Sequence, residues 1–316
     1  MESDSEFRAG NHWIADKRPM GIGLMMPISE EAAFGGTPHF SDIVEMAEVA
    51  RQTGFDAIWF ADHFTFGTPE DGQRGVWEAF TMMAAVAARV PDITIGPLVA
   101  CTGFRNPGVV AKMTEAIDEI SDGRFVLGLG AGWHQPEYDQ FGMPFDYRVS
   151  RFEDALRIIH PLLRQGEATW QGRFFSADGA VNKPRGPRPA GAPILVGSSG
   201  DRMLRLVAEF ADAWNTVWHN DAEAVRPLMD KVDAACRHAG RDPKTLVRTA
   251  GGNVAMEGYL GRRPNPIEGD DAHKAETIAG FRKVGMQHFV AGLDPCTPET
   301  IAAFGRVLEL LDAEAS

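Results

Sequence analysis

The sequence predicts an α/β protein folded as a single (β/α)8 TIM barrel with insertions at its C-terminal face. Three observations predict it. Short apolar runs alternate with stretches of helical periodicity, which is the rhythm of a parallel sheet crossed by helices. The 316 residues suit one barrel of roughly 250 residues plus insertions. The residue types capable of chemistry cluster where the apolar runs end, the face on which such barrels carry function.

The elements follow in order. Residues 1–18 are polar and acidic and read as an N-terminal tail, so the barrel occupies 19–316. The first strand is Gly21 to Met26. A helix then places Ile43, Met46, Ala47 and Ala50 on one face, capped by Ser41 and stopped at Gly54. Asp56 to Phe60 is strand two, and Phe80, Met83 and Val90 belong to helix two. Ile93 to Ala100 is strand three. Helix three is the best marked: Asn106 caps it, Pro107 suits its first turn, Val110, Met113, Ile117 and Ile120 repeat at helical spacing, and Gly123 takes a left-handed stop. Phe125 to Leu129 is strand four, followed by a long loop and a helix through Phe152, Leu156, Ile159 and Leu163. An insertion over the barrel spans about 166–192, with a hairpin turn at Trp170 to Phe174. Ile194 to Gly197 is strand five, with Met203, Leu206, Val207 and Phe210 on the next helix. Asp212 to Thr216, Thr245 to Val254 and His288 to Leu293 are strands six to eight, with a second insertion near 255–271. Ile301, Phe304, Leu308 and Leu311 line a last helix.

Composition removes several functions. A net charge of −13 argues for solubility and against a nucleic-acid partner, which requires a Lys/Arg excess. Cys101, Cys236 and Cys296 are far apart, without metal-binding spacing or the even count of a disulfide framework, which predicts a reducing compartment and a cytoplasmic protein. The N-terminus lacks the apolar core of a signal peptide, and no run of about 18 apolar residues predicts a membrane span. There is no H-x-H pair for a hydrolase metal and no G-x-S-x-G elbow for a serine nucleophile, so no metal site is expected.

The strand ends leave a short set of candidates. Strand two ends in Ala61-Asp62-His63. His63 is either a base titrating near neutrality, with a carboxylate nearby, or a structural histidine. Arg105, after strand three, pairs either with a phosphate or with an acid such as Asp122. Gly128, Gly130 and Gly132 lack dinucleotide-fingerprint spacing; they either let a flat ligand lie against backbone or let a strand pack tightly. Trp77 is expected to pack. Trp133 and His134 are placed in the substrate pocket, Trp133 as a wall. Gly197-Ser198-Ser199-Gly200 opens a helix and reads either as a phosphate site or as a plain turn with serine caps.

Together these loops carry a specific resemblance. Gly54-Phe55-Asp56-Ala57-Ile58-Trp59-Phe60-Ala61-Asp62-His63, Phe104-Arg105-Asn106-Pro107, Ala111-Lys112-Met113, Ile120-Ser121-Asp122-Gly123-Arg124 and Gly128 to Trp133 resemble the luciferase-like monooxygenase superfamily. Glu137-Tyr138, Phe141-Gly142, Pro144-Phe145, Arg151-Phe152, Pro193 to Gly197 and Ala211 to Asn215 continue the match, which runs from about 20 to 312. The segment G-L-G-A-G-W-H followed by E-Y, with F-R-N-P before it, is most similar to the branch using the deazaflavin coenzyme F420; FMN-dependent monooxygenases share much of it and are the alternative.

The resemblance implies hydride transfer between F420 and a small organic substrate, with His63 catalytic. It implies Asp62 beside the ring, Leu98 and Val99 as a bulge under it joined by a cis peptide, Ala131 and Gly132 on its flank, and Gly197 to Gly200 at the phosphate. It also implies a homodimer. Related sugar-phosphate dehydrogenases place an acid just after the strand-four glycines and a tryptophan four residues after the histidine. This chain has Trp133 and Gly67 there, which argues against a sugar-phosphate substrate. A flavin carrier without catalysis is the alternative of another class: an intact His63 beside an open pocket argues for an enzyme. The segments 64–76, 134–148, 166–192 and 255–271 are expected to set specificity.

Overall fold

The computed structural model describes residues 18–68, 72–259 and 261–313. The expected tail, apart from Arg18, lies outside them, as do residues 69–71 and 260 of two specificity loops. Arg18 itself belongs to the barrel. Its guanidinium is buried between Asp56 at 3.0 Å and Asp312 at 2.6 Å and donates to the Gly54 carbonyl.

The barrel strands are β1 (Gly21–Met25), β2 (Ala57–Phe60), β3 in two segments (Thr94–Pro97 and Ala100–Cys101), β4 (Leu127–Gly130), β5 (Ile194–Gly197), β6 (Ala213–Thr216), β7 (Val247–Ala255) and β8 (His288–Asp294). All pair in parallel, in the order first half of β3, β2, β1, β8, β7, β6, β5, β4, second half of β3. The two edges are halves of one strand, so the sheet closes on itself, and a bridge between Ile95 and Phe125 completes the seam. The expected continuous strand Ile93 to Ala100 is thus broken at Leu98–Val99, and that peptide is cis.

Strand alternation builds two cores. One set of side chains packs outward against the helices; the other, with Met25, Trp59, Leu98, Val126, Leu195 and Val290, fills the barrel. Trp59 fits there because Gly23 and Gly96 face it: a Cβ on Gly23 would lie 2.4 Å from its indole nitrogen. That nitrogen donates to His288 at 3.1 Å.

The helices are α1 (Phe40–Thr53), α2 (Ala79–Arg89), α3 (Pro107–Ile120), α4 (Gln135–Gln140), α5 (Arg148–Arg164), α6 (Asp201–Phe210), α7 (Arg226–His238), α8 (Asp271–Lys283), α9 (Pro298–Ala303) and α10 (Gly305–Ala313). Asn106 caps α3 through Gly108 N–H at 2.8 Å, as its sequence predicts. Ser41 does not cap α1. His39 holds that position, because the Asp42 carboxylate reaches back to its N–H at 2.8 Å in a capping box. Ile120, expected on the buried face of α3, is exposed at its last turn. The expected last helix is two helices that keep Ile301, Phe304, Leu308 and Leu311 all facing the core.

The 166–192 segment departs from expectation in its place. Its hairpin (Glu167–Gln171 with Ser176–Val181) runs along the outer side of α5, where Asp154 accepts from Trp170 Nε1 and Phe174 N–H. Arg185 and Arg188 then bind Glu115 and Asp118 of α3. The segment joins a helix to the next strand, a connection made at the N-terminal end of a barrel, and none of it lines the cavity described below.

Candidate functional site

The loops after all eight strands meet around a cavity of about 790 Å³, within the range of small-molecule sites. Leu98 and Val99 pack on the barrel's interior layer and form its floor. Asp62, His63, Gly132, Trp133, Gly197, Ser198 and Ser199 also line it. Ala131, Gly200 and His134, expected at the site, do not. Ala131 lies between the two lining glycines Gly130 and Gly132. Gly200 is the exposed cap of α6. His134 is buried with Nε2 2.9 Å from the Gly67 carbonyl, so it ties two loops together.

The carboxylate beside His63 is not Asp62. It is Glu137 of α4, whose Oε1 lies 2.9 Å from His63 Nδ1, while Oε2 accepts the Phe64 N–H at 2.9 Å. The Glu137 side chain is 2% exposed and that of His63 14%. A carboxylate on Nδ1 fixes the tautomer that leaves Nε2 as the basic nitrogen. Phe66 packs on the His63 ring at 4.3 Å and Trp133 meets it edge-on at 5.6 Å. The acid beside His63 thus comes from α4, the short helix that follows Trp133.

Asp62 does something different. Its two oxygens receive the Arg105 guanidinium at 2.7 and 2.9 Å, and Oδ2 also accepts the Cys101 N–H at 2.8 Å. Arg105 reaches on to Glu78, the cap of α2, so its partners are acids, one of the two expected readings, but Asp62 and Glu78 rather than Asp122. This network fixes the second half of β3 against β2. Cys101 Sγ lies 2.8 Å from the Tyr138 hydroxyl, which donates to the Ala131 carbonyl. Burial pushes the Cys101 thiol up to about 12 and also raises Tyr138, so neither is an acid or nucleophile near neutrality.

The glycine run packs. A Cβ on Gly130 would lie 2.6 Å from Val99 Cγ2, and one on Gly128 would strike the Pro97 carbonyl. Gly132, at φ 78°, leaves room for the Tyr138 hydroxyl. A Cβ on Gly197 would lie 3.2 Å from Val99 Cγ1. These glycines hold the floor residue Val99 in place from both β4 and β5. Beyond them, α6 opens with no side-chain cap, and a Cβ on Gly200 would meet nothing within 4 Å. The first N–H groups of α6 thus face open space beside Ser198 and Ser199.

The opposite half of the cavity was absent from the candidates. Trp218 after β6, Asn253 in β7, Arg262 and Arg263 after β7, and Asp294 at the end of β8 line it, with Arg74 from the hairpin Thr65–Phe66 and Arg74–Gly75. Arg74, Arg262 and Arg263 were foreshadowed by their place in the 64–76 and 255–271 loops; Trp218, Asn253 and Asp294 had no pointer in the sequence. Among the described residues, no three of His, Cys, Asp or Glu converge to hold a metal ion, and no helix is long and apolar enough to cross a membrane.

Comparison with known proteins agrees with this architecture. The sequence profile of luciferase-like monooxygenases matches residues 20–258. The chain is 33% identical over 248 residues to pyrimidine monooxygenase RutA of Agrobacterium fabrum, covering 73% of this chain and 66% of that protein. It is 30% identical over 212 residues to 5,10-methylenetetrahydromethanopterin reductase of Archaeoglobus fulgidus, covering 66% and 59%. The chain thus spans less than two thirds of the length of these relatives. Its fold matches that of an F420-dependent secondary alcohol dehydrogenase with a TM-score of 0.78, over 92% of this chain and 99% of that one, at 19% identity. The chain belongs to the luciferase-like monooxygenase family, whose members are enzymes.

Proposed function

We propose that this protein transfers a hydride between coenzyme F420 and a small organic substrate, with His63 exchanging the accompanying proton. The His63–Glu137 pair at the cavity wall carries this reading. A carbonyl and its alcohol differ by a hydride and a proton, and an imidazole held by a buried carboxylate is suited to take or return that proton at Nε2.

The residues present fit a flat coenzyme. Leu98 and Val99 offer an apolar floor and Gly130 and Gly132 a wall without side chains. Ser198, Ser199 and Gly200 lead to the uncapped N-terminus of α6, where free N–H groups and positive potential suit a phosphate. Asp62 would act indirectly, by keeping Cys101 and the floor in register. When bound, the deazaflavin supplies the carbon that accepts or donates hydride. Glu137 steadies the imidazolium as His63 gains a proton and returns the same tautomer when it leaves. Trp133 and Phe66 limit water around the ring.

A second reading, an FMN-dependent monooxygenase, has its footing in the 33% identity to a pyrimidine monooxygenase. Titrating the purified protein with F420 and with FMN separates the two. F420 is expected to bind at least about tenfold more tightly, a difference of about 1.4 kcal/mol. Tighter binding of FMN would overturn the F420 reading in favour of the monooxygenase.

A further inference from the structure

The cavity half above β7 and β8 holds a guanidinium, that of Arg263, without a partner among the described residues. The chain carries a formal charge of −13, yet arginines 74, 262 and 263 line this cavity. Its acids are already engaged. Asp62 binds Arg105, and Glu137 binds His63 and the Phe64 N–H. Glu31 pairs with Arg262 at 3.5 Å, and Asp294 Oδ2 accepts the backbone N–H of Arg263 at 3.0 Å. The half-buried Arg263 guanidinium has no ion pair or hydrogen bond among the described residues. A guanidinium presents five donors in a planar fork. Holding one partly out of water without an acceptor costs free energy that a ligand oxygen would recover.

The surroundings hold the backbone at Arg263 in place. The Arg263 N–H is bound to Asp294, its carbonyl accepts the Tyr259 hydroxyl at 2.8 Å, and Asn253 Nδ2 donates to the next carbonyl, of Pro264, at 2.9 Å. Gly292 keeps the space beside it open. A Cβ there would lie 3.1 Å from Arg263 Nη1, 3.0 Å from Asn253 Oδ1 and 3.5 Å from the Trp218 ring. A guanidinium, an amide and an indole thus border one opening in β8. It lies on loops other than those proposed for the coenzyme phosphate, after β5.

We propose that Arg263 anchors an anionic group of the substrate, a carboxylate or a phosphoryl group, so that the enzyme acts on small organic anions. This rests on reading the cavity as the substrate site of the proposed oxidoreductase; the anion site itself is independent of which coenzyme binds.

The test uses malonate, its neutral isostere malonamide, and inorganic phosphate as probes, read by Trp218 fluorescence with Trp218→Phe as the blank and by calorimetry. Malonate or phosphate is expected to bind with a Kd on the order of 1 mM, malonamide not to bind, and the tighter anion names the group. Arg263→Gln is expected to weaken anion binding at least about tenfold, about 1.4 kcal/mol, with Arg263→Lys in between. F420 and FMN affinities are expected to stay unchanged in both variants, and the anion to bind alongside saturating coenzyme. Equal binding of malonate and malonamide, or wild-type anion affinity in a folded Arg263→Gln protein, would overturn the proposal. So would displacement of the anion by coenzyme, which would make Arg263 a coenzyme contact. If neither coenzyme binds the wild type while malonate does, the proposed function fails and the anion site stands.

Discussion

On the side of the cavity built by β2 to β5, the charged groups at the mouth are satisfied by other parts of the protein. Asp62 is closed by Arg105, Glu137 by His63 and the Phe64 N–H, and Val99 is gripped by glycines of two strands. On the side built by β7 and β8, the backbone around Arg263 is equally well held, but its guanidinium lines the cavity with no partner among the described residues. The first side is organised to keep a shape, and a ligand placed there meets surfaces fixed beforehand. The second offers the Arg263 guanidinium, and the anion site proposed above lies there. Even within the first side the two buried carboxylates differ. One is tied to a permanent cation and sets geometry. The other is tied to a titratable ring and can assist proton exchange.

That contrast can be broken or sharpened experimentally. The largest effect is expected at His63. His63→Ala should lower turnover by about 10²–10⁴-fold at saturating coenzyme, with coenzyme affinity and melting temperature nearly unchanged. Glu137→Gln should lower it less, since the ring remains and only its orientation and charge support weaken. A structural His63 would instead show lower melting temperature and weaker coenzyme binding together, and full turnover with normal stability would make it a bystander.

Asp62→Asn should act on stability. Removing one partner of a buried ion pair costs about 3–5 kcal/mol, read by denaturant unfolding, although Glu78 still offers Arg105 some compensation. A loss under about 1 kcal/mol would show that the pair does not clamp β2 to β3.

The smallest effect is an absence of reaction. With its thiol held near 12 by burial, Cys101 at pH 8 is thiolate on the order of one part in 10⁴. Iodoacetamide followed by mass spectrometry should leave it unmodified in the native protein and label it after unfolding. Rapid native labelling would mean that the β2–β5 side opens.

Elements whose signals are local were legible. The Asn106-Pro107 start of α3, the Gly54 stop of α1 and the bounds of β5 follow from interactions within one turn or one apolar run. Helices α7 and α8, between strands six and eight, were passed over: α7 buries only Val232 and Cys236, and the buried face of α8 includes Lys274 and small alanines that blur its apolar period. The break in β3 was legible only through family resemblance. The role of Gly197 shows the limit well. Its sequence context suggests backbone approach to a phosphate, whereas in space its missing side chain also makes room for Val99. A valine there would disturb the floor as well as the phosphate loop.

The amino-acid sequence by itself determined a parallel βα barrel and the strand ends that form its mouth, His63 among them. Periodicity and caps depend on neighbours a few positions apart, so a linear reading captures them. Only the tertiary structure decided which acid serves His63, which serves Arg105, and that the Arg263 guanidinium has no partner among the described residues. Those partners are separated by 74 residues for His63–Glu137 and 43 for Asp62–Arg105. Pairings over such distances are set by closure of the barrel, which brings loops from all eight strands to one end and leaves no trace in local spacing.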